Sequence, residues 1–171
     1  NTITASVIRD LYEIVGKIKS DDAIKGVVFT SGKTTGFCAG ADLGEMNERG
    51  VAAEGAPKTE DEKLKAQFER GFGLNRVYRD LETCGKPWVA AINGMTLGGG
   101  FELCLACHHR IAADNPKSRV GLPEIKIGLF PGAGGTQRIA RMMMPGDALQ
   151  LLLKGDQIRI PQAKGMKIID A

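Results

Sequence analysis

Apolar residues at Val7, Ile8, Leu11, Ile14, Val15 and Ile18 recur at the three-to-four spacing of a single helix face. This predicts an amphipathic helix near the start of the chain, with Thr4 or Ser6 capping its first turn. Residues 26–30 (GVVFT) are continuous, mostly β-branched and closed by Ser31-Gly32-Lys33, so they read as a buried strand ending in a turn. Residues 49–62 are polar and small around Pro57 and read as a mobile surface segment. A second helical stripe runs through Leu64, Phe68, Leu74, Tyr78 and Leu81, followed by a second buried strand at 88–92 (WVAAI) that stops at Asn93-Gly94. After a run of glycines, 101–108 reads as a helix and 110–113 as a strand. Residues 134–143 and 148–153 read as helices, and Pro161 suits the first position of a short helix ending near Met166. The last five residues, 167–171, read as the beginning of another strand.

Repeated strand, turn and helix units predict an α/β fold with parallel pairing and right-handed crossovers, all within one domain over 1–171. The start at Asn1 and the strand-like end lead to the expectation that this is a fragment of a longer chain. Charge adds exclusions: 23 Lys+Arg against 20 Asp+Glu are scattered, so the chain presents neither a basic nucleic-acid stripe nor an acidic tail. Residues 87–107 lack Lys and Arg, but Pro87, Asn93, Glu102 and four glycines argue for strand, turn and helix and against a membrane span. Cys38, Cys84, Cys104 and Cys107 suit a reducing compartment.

Three motif-like stretches fail on closer inspection. Ser31-Gly32-Lys33-Thr34 ends like a phosphate loop, yet Val27 stands where that loop needs glycine. Gly132-Ala133-Gly134-Gly135-Thr136-Gln137 approaches a dinucleotide fingerprint but has Gln137 at its last glycine and no acidic partner at the required distance. Cys104-Leu105-Ala106-Cys107-His108 has haem-attachment spacing but continues an apolar helix, and without a second CxxC it is not a four-ligand zinc site. No metal site is expected.

The remaining signals converge. Gly98-Gly99-Gly100 lies between a buried strand and a helix whose first turn carries Glu102, and glycines there let a ligand approach the backbone. The unpaired N–H groups of such a helix start suit a developing negative charge. Glu102 alone reads equally well as a residue favourable to its own helix dipole. Glu124, just after Pro123 in an apolar stretch, reads as either a solvent-facing strand residue or a second acid. If both face one cavity, repulsion and desolvation separate their proton affinities, as an acid/base pair requires. A third small-residue loop, 36–42, ends at Asp42, which is placed to cap a short helix over 43–47.

FCAGADLGEM (37–46), KPWVAAINGMTLGGGFELCLAC (86–107) and GLPEIKIGLFPGAGGTQRIAR (121–141) resemble the enoyl-CoA hydratase/isomerase (crotonase) superfamily. Together with 151–171, they look most like the hydratase part of multifunctional fatty-acid-oxidation proteins that also carry a 3-hydroxyacyl-CoA dehydrogenase part. The resemblance implies a crotonase-like (ClpP/crotonase) spiral of repeated ββα units, incomplete here at both ends. It implies an acyl-CoA thioester substrate whose carbonyl is held by the N–H groups of Ala41 and Gly99. The two acids map onto Glu102 and Glu124, with Ala41, Asp42, Leu43, Gly44 and Gly99 along the substrate and CoA, and the acyl-tail walls within 48–81. The implied reaction adds water to trans-2-enoyl-CoA in fatty acid β-oxidation. An isomerase moving the double bond from C3 to C2, needing Glu124 alone, and a non-catalytic acyl-CoA-binding module stay open beside it. No cofactor is expected on this segment, since CoA belongs to the substrate and NAD would serve only a dehydrogenase part of a parent chain. The expected partners are further copies of the chain or a fatty-acid-oxidation complex, in the bacterial cytoplasm or, alternatively, in mitochondria or peroxisomes.

Overall fold

The computed structural model describes residues 1–34, 36–48 and 59–171. Helix α1 (Ala5–Ser20) starts at Thr4, whose hydroxyl accepts the Val7 N–H at 3.3 Å, and buries Leu11, Val15 and Ile18 against α3 (Glu60–Thr83). Between them, β1 (Val27–Thr30) leads through a loop to α2 (Leu43–Glu48). Of the surface segment expected over 49–62, residues 49–58 lie outside the described residues, while Thr59 opens α3 through a reciprocal capping box with Glu62. The apolar stripe predicted on α3 is buried only in its C-terminal part: Val77, Tyr78 and Leu81 are in the core, but Leu64 and Phe68 are exposed.

From Trp88 on, the chain repeats one unit. Strands β2 (Trp88–Ile92) and β3 (Thr96–Leu97) lead to α4 (Gly99–Ala106). Strands β4 (His109–Ala112) and β5 (Arg119–Gly121) lead through a 3-10 turn (Glu124–Ile127) to α5 (Gly135–Met142). The first strands form one parallel sheet, β1-β2-β4. The second strands form another, where β3 pairs in parallel with β5 and, on its other side, Thr96 bridges in parallel to Cys38. The loop 36–42 is therefore the second-strand position of a first unit, and the expected ββα spiral is present.

Pairing is not parallel throughout. After α6 (Pro145–Lys154), Gly155 takes a left-handed conformation (φ 60°) that turns the chain back, and β6 (Ile158–Arg159) pairs antiparallel to β5 before α7 (Ile160–Gly165). The 167–171 segment is not a strand either. Lys167 has φ 61°, which breaks extended geometry, while Ile168 and Ile169 are buried and 170–171 run along β4 through Asp170 N–H to Arg110 O (2.9 Å) and Ala112 N–H to Ala171 O (2.9 Å).

The Asp170 carboxylate closes that seam by accepting both the Arg110 N–H and its guanidinium, each at 2.8 Å. Asp170→Ala leaves the buried guanidinium with only the Cys107 carbonyl, so it should cost about 1.5 kcal/mol, the lower end for a hydrogen bond to a charged group because Asp170 is partly exposed. A thermal melt should show Tm lowered by roughly 3–6 °C for a chain of this size.

Helix α4 is buried on every side, including the Glu102 carboxylate. It begins earlier than its apolar pattern suggests, with Gly98 as cap and Gly99 and Gly100 inside its first turn, because a Cβ on Gly100 would stand 2.7 Å from Cys38 Cβ. It also ends earlier, at Ala106, and His108 leaves the helix to accept the Trp88 N–H on Nδ1 at 3.1 Å.

Candidate active site

Parallel strands end on the same side, and the turn beyond each second-layer strand carries one predicted site residue: Ala41 after Cys38, Gly99 after β3 and Glu124 after β5. Ala41 is fixed by a parallel bridge to Ile3, in which Ile3 N–H donates to Gly40 O (2.8 Å) and Asp42 N–H to Ile3 O (3.1 Å). The Ala41 N–H is thus turned to the opposite side, towards α4. Gly40, at φ +99°, allows the close approach: a Cβ there would meet Leu97 O at 2.9 Å and Gly99 N at 3.4 Å.

Gly99 stands at the centre. A Cβ on it would lie 3.9 Å from both Ala41 N and Glu102 Oε2, so all three groups border one small space. Among the described residues, neither the Ala41 nor the Gly99 N–H makes a hydrogen bond. Gly98 (φ 54°, ψ −134°) shapes the entry to α4, and a Cβ on it would lie 3.2 Å from Glu124 Oε1. The two glutamates therefore flank consecutive glycines. Glu124 is not on a strand: it opens the 3-10 turn, which carries Ile125 and Ile127 out to exposed positions.

Asp42, Leu43 and Gly44 follow Ala41 at the start of α2. Asp42 caps that helix by accepting the Glu45 N–H at 3.2 Å and also accepts the Thr2 hydroxyl at 3.1 Å, while Leu43 is half exposed. In the stretch expected to wall an acyl tail, the described residues expose Leu64, Phe68 and Phe72, with the two phenylalanine rings stacked at 4.3 Å; residues 49–58 lie outside the described residues.

The carboxylates differ in their surroundings. Glu102 Oε1 accepts the N–H groups of Ala133 and Gly135, both at 2.8 Å, leaving Oε2 on the Gly99 side. Burial dominates at Glu102 and leaves its proton affinity above the ordinary carboxylate value, with those two N–H donors and the Arg138 charge offsetting only part of the rise. Burial is also the main influence on Glu124, which is pushed up to about 7; its own backbone N–H opposes this and the Glu102 charge adds to it. Its Oε2 is buried with no hydrogen-bond partner among the described residues. One site thus holds a carboxylate stabilised by backbone donors beside one that takes up a proton near neutrality.

The resemblance did not bring out the groups behind these residues. Tyr78, legible only as a core aromatic, donates its buried hydroxyl to Gly99 O at 2.9 Å and so fixes the Gly99 carbonyl. The 132–137 run, which fails as a dinucleotide fingerprint, supplies the donors to Glu102: the N-terminus of α5 faces a carboxylate of its own chain. The CxxCH thiols are packing groups, with Cys104 and Cys107 both buried and Cys107 pushed up to about 12 by burial.

The spiral and its small-residue turns define a crotonase-type α/β fold, and solved structures share it. The enoyl-CoA hydratase of Bacillus anthracis superposes with TM-score 0.82 at 32% identity, over 99% of this chain and 60% of that one. Pseudomonas aeruginosa DspI does so with TM-score 0.82 at 27% identity, over 99% and 59%. The enoyl-CoA hydratase/isomerase family model matches residues 1–171, and this chain belongs to that family. Among curated relatives, the fatty acid oxidation complex subunit alpha of Shewanella amazonensis is 42% identical over 170 residues, covering 99% of this chain and 22% of the relative. That of Idiomarina loihiensis is 41% identical over 165 residues, covering 95% and 21%. The chain thus spans about a fifth of the length of the curated relatives it matches.

Proposed function

We propose that this chain adds water across the double bond of a trans-2-enoyl-CoA to give 3-hydroxyacyl-CoA. The observation that carries this reading is the meeting of two unlike carboxylates with two backbone N–H groups that have no hydrogen-bond partner among the described residues, around Gly98-Gly99. The thioester oxygen lies against the Ala41 and Gly99 N–H groups, with the CoA portion along Asp42, Leu43 and Gly44. Glu102, stabilised as a carboxylate by Ala133 and Gly135, takes a proton from water as the hydroxyl bonds to C3. The alkene electron pair moves onto the thioester oxygen as an enolate, which the two N–H groups stabilise. The enolate collapses by taking a proton from Glu124 at C2, so one H and one OH are added. Glu102 is left protonated and Glu124 ionised, and proton exchange with solvent restores the pair.

No metal or redox cofactor enters this scheme, and CoA arrives with the substrate. NAD would serve only a dehydrogenase part of a longer parent chain, which the sequence resemblance implies. The relatives' names support assembly in a fatty-acid-oxidation complex. Their bacterial sources and the four free thiols support a bacterial cytoplasmic setting.

The test offers the full-length protein a short trans-2-enoyl-CoA and, separately, a trans-3-enoyl-CoA. Gain of one water by the first supports hydration; conversion of the second at unchanged mass would make isomerisation the primary activity. Binding without turnover of either would leave a non-catalytic acyl-CoA module. A pH profile of hydration kcat/KM adds a second check. The base must be ionised, so the rate rises with pH through the Glu102 titration; the acid must be protonated, so it falls above the Glu124 titration near pH 7. Glu124→Gln should remove that alkaline fall. A fall that persists in this variant would show that another group supplies the proton.

A further inference from the structure

We propose that Arg138, aimed by Glu82, is a positioning residue for Glu102, holding the backbone turn whose N–H groups grip the carboxylate. This rests on Glu102 acting as the base, as proposed above. The two donors to Glu102 belong to the peptide units 132–133 and 134–135, and the carbonyl between them, Ala133 O, accepts from Arg138 Nη1 at 3.0 Å. Asn75 Nδ2 donates to Gly132 O, the carbonyl of the same peptide unit that presents the Ala133 N–H. The turn is thereby gripped from α3 and α5 on its far side while its N–H groups face Glu102.

Arg138 is itself held as a fork: Nε donates to Glu82 Oε1 at 3.2 Å and Nη2 to Glu82 Oε2 at 3.3 Å, and Arg79 donates to Oε2 at 2.7 Å. Such a planar fork fixes direction as well as charge, which lysine would not reproduce. Its side chain is 12% exposed, so the pair is shielded from solvent on most sides. The charged or titratable groups facing Glu102 are Arg138 from α5, Tyr78 from α3 and Glu124 from the 3-10 turn. Among them Arg138 is the one cation, and it favours the ionised base.

The small exposed edge of Arg138 lines a cleft of about 710 Å³ with Asn75, Arg79, Asp80, Glu82, Gln137 and Arg141, a lining that does not include Glu102 or Glu124. A small cation can therefore reach the space left by truncating it.

The experiment uses the full-length protein with trans-2-enoyl-CoA and three variants. Arg138→Ala should lower kcat by on the order of tenfold or more at little-changed KM, the scale of a misaimed catalytic group. Its acidic kcat/KM limb should move to higher pH, because loss of the cation disfavours the ionised base, and guanidinium ion below denaturing concentration should restore kcat where sodium does not. Glu82→Gln, which keeps the cation but loosens its aim, should lower kcat less and not raise that limb. Wild-type kcat in Arg138→Ala, or a loss with the limb unmoved and no recovery with guanidinium, overturns the proposal. If Arg138→Ala does not fold, Glu82→Gln decides, and wild-type kcat in it overturns the proposal. Glu102→Gln separates the two levels: full turnover there removes the base itself, whereas its loss alongside an unaffected Arg138→Ala removes only the role given to Arg138.

Discussion

Glu102→Gln and Glu124→Gln should each lower kcat for hydration by on the order of 10²-fold or more while KM changes little, because each removes a proton transfer made only in the transition state. Both substitutions conserve side-chain shape. At position 102 the amide oxygen can replace Oε1 and go on accepting from Ala133 and Gly135, so the side chain stays in place and only the basic atom facing Gly99 is lost. At 124 the amide has the shape of the carboxyl group it replaces, and the transferable proton is gone. Steady-state kinetics on the purified variants, with melts to confirm folding, checks both. Near-wild-type turnover of both variants would sink the acid/base assignment. If Glu102→Gln alone kept 3-enoyl isomerisation after losing hydration, the site would be an isomerase driven by Glu124.

Gly98→Ala is expected to have the next largest effect, through the backbone. At φ 54° and ψ −134° an alanine is strained by about 1–3 kcal/mol, and its Cβ would press on Glu124 Oε1 at 3.2 Å. The chain relieves this by rotating the 98–99 peptide, which is the unit that presents the Gly99 N–H. Loss of one such donor costs on the order of 10²-fold in kcat, and the strain lowers Tm by several degrees. A variant that melts early yet turns over normally would show that the Gly99 N–H is not the donor proposed here.

Much of this was legible in local sequence. Helical periodicity marked α1 and the buried part of α3, β-branched runs marked β1 and β2, and the ordered small-residue motifs carried the resemblance to the family. Where the local pattern misled, longer-range packing decided. The helix of 101–108 reaches back to Gly99 because only glycines fit against Cys38, and the final five residues follow β4 without becoming a strand because Lys167 turns the chain. The exposed Leu64 and Phe68 keep helical spacing without a core beneath them, since periodicity records a face and not what covers it.

Local sequence supplies the groups: two glutamates, glycines where backbone must approach backbone, and loops short enough to follow strand ends. Which groups meet, and in what surroundings, is set by the tertiary fold. Parallel pairing of Cys38, β3 and β5 brings Ala41, Gly99 and Glu124 together from positions far apart in the chain. It also sets Glu102 against the Ala133 and Gly135 donors, with Arg138 and Glu82 behind them. Proton affinity and hydrogen-bond direction depend on burial and on neighbours distant in sequence, which spacing along the chain does not encode.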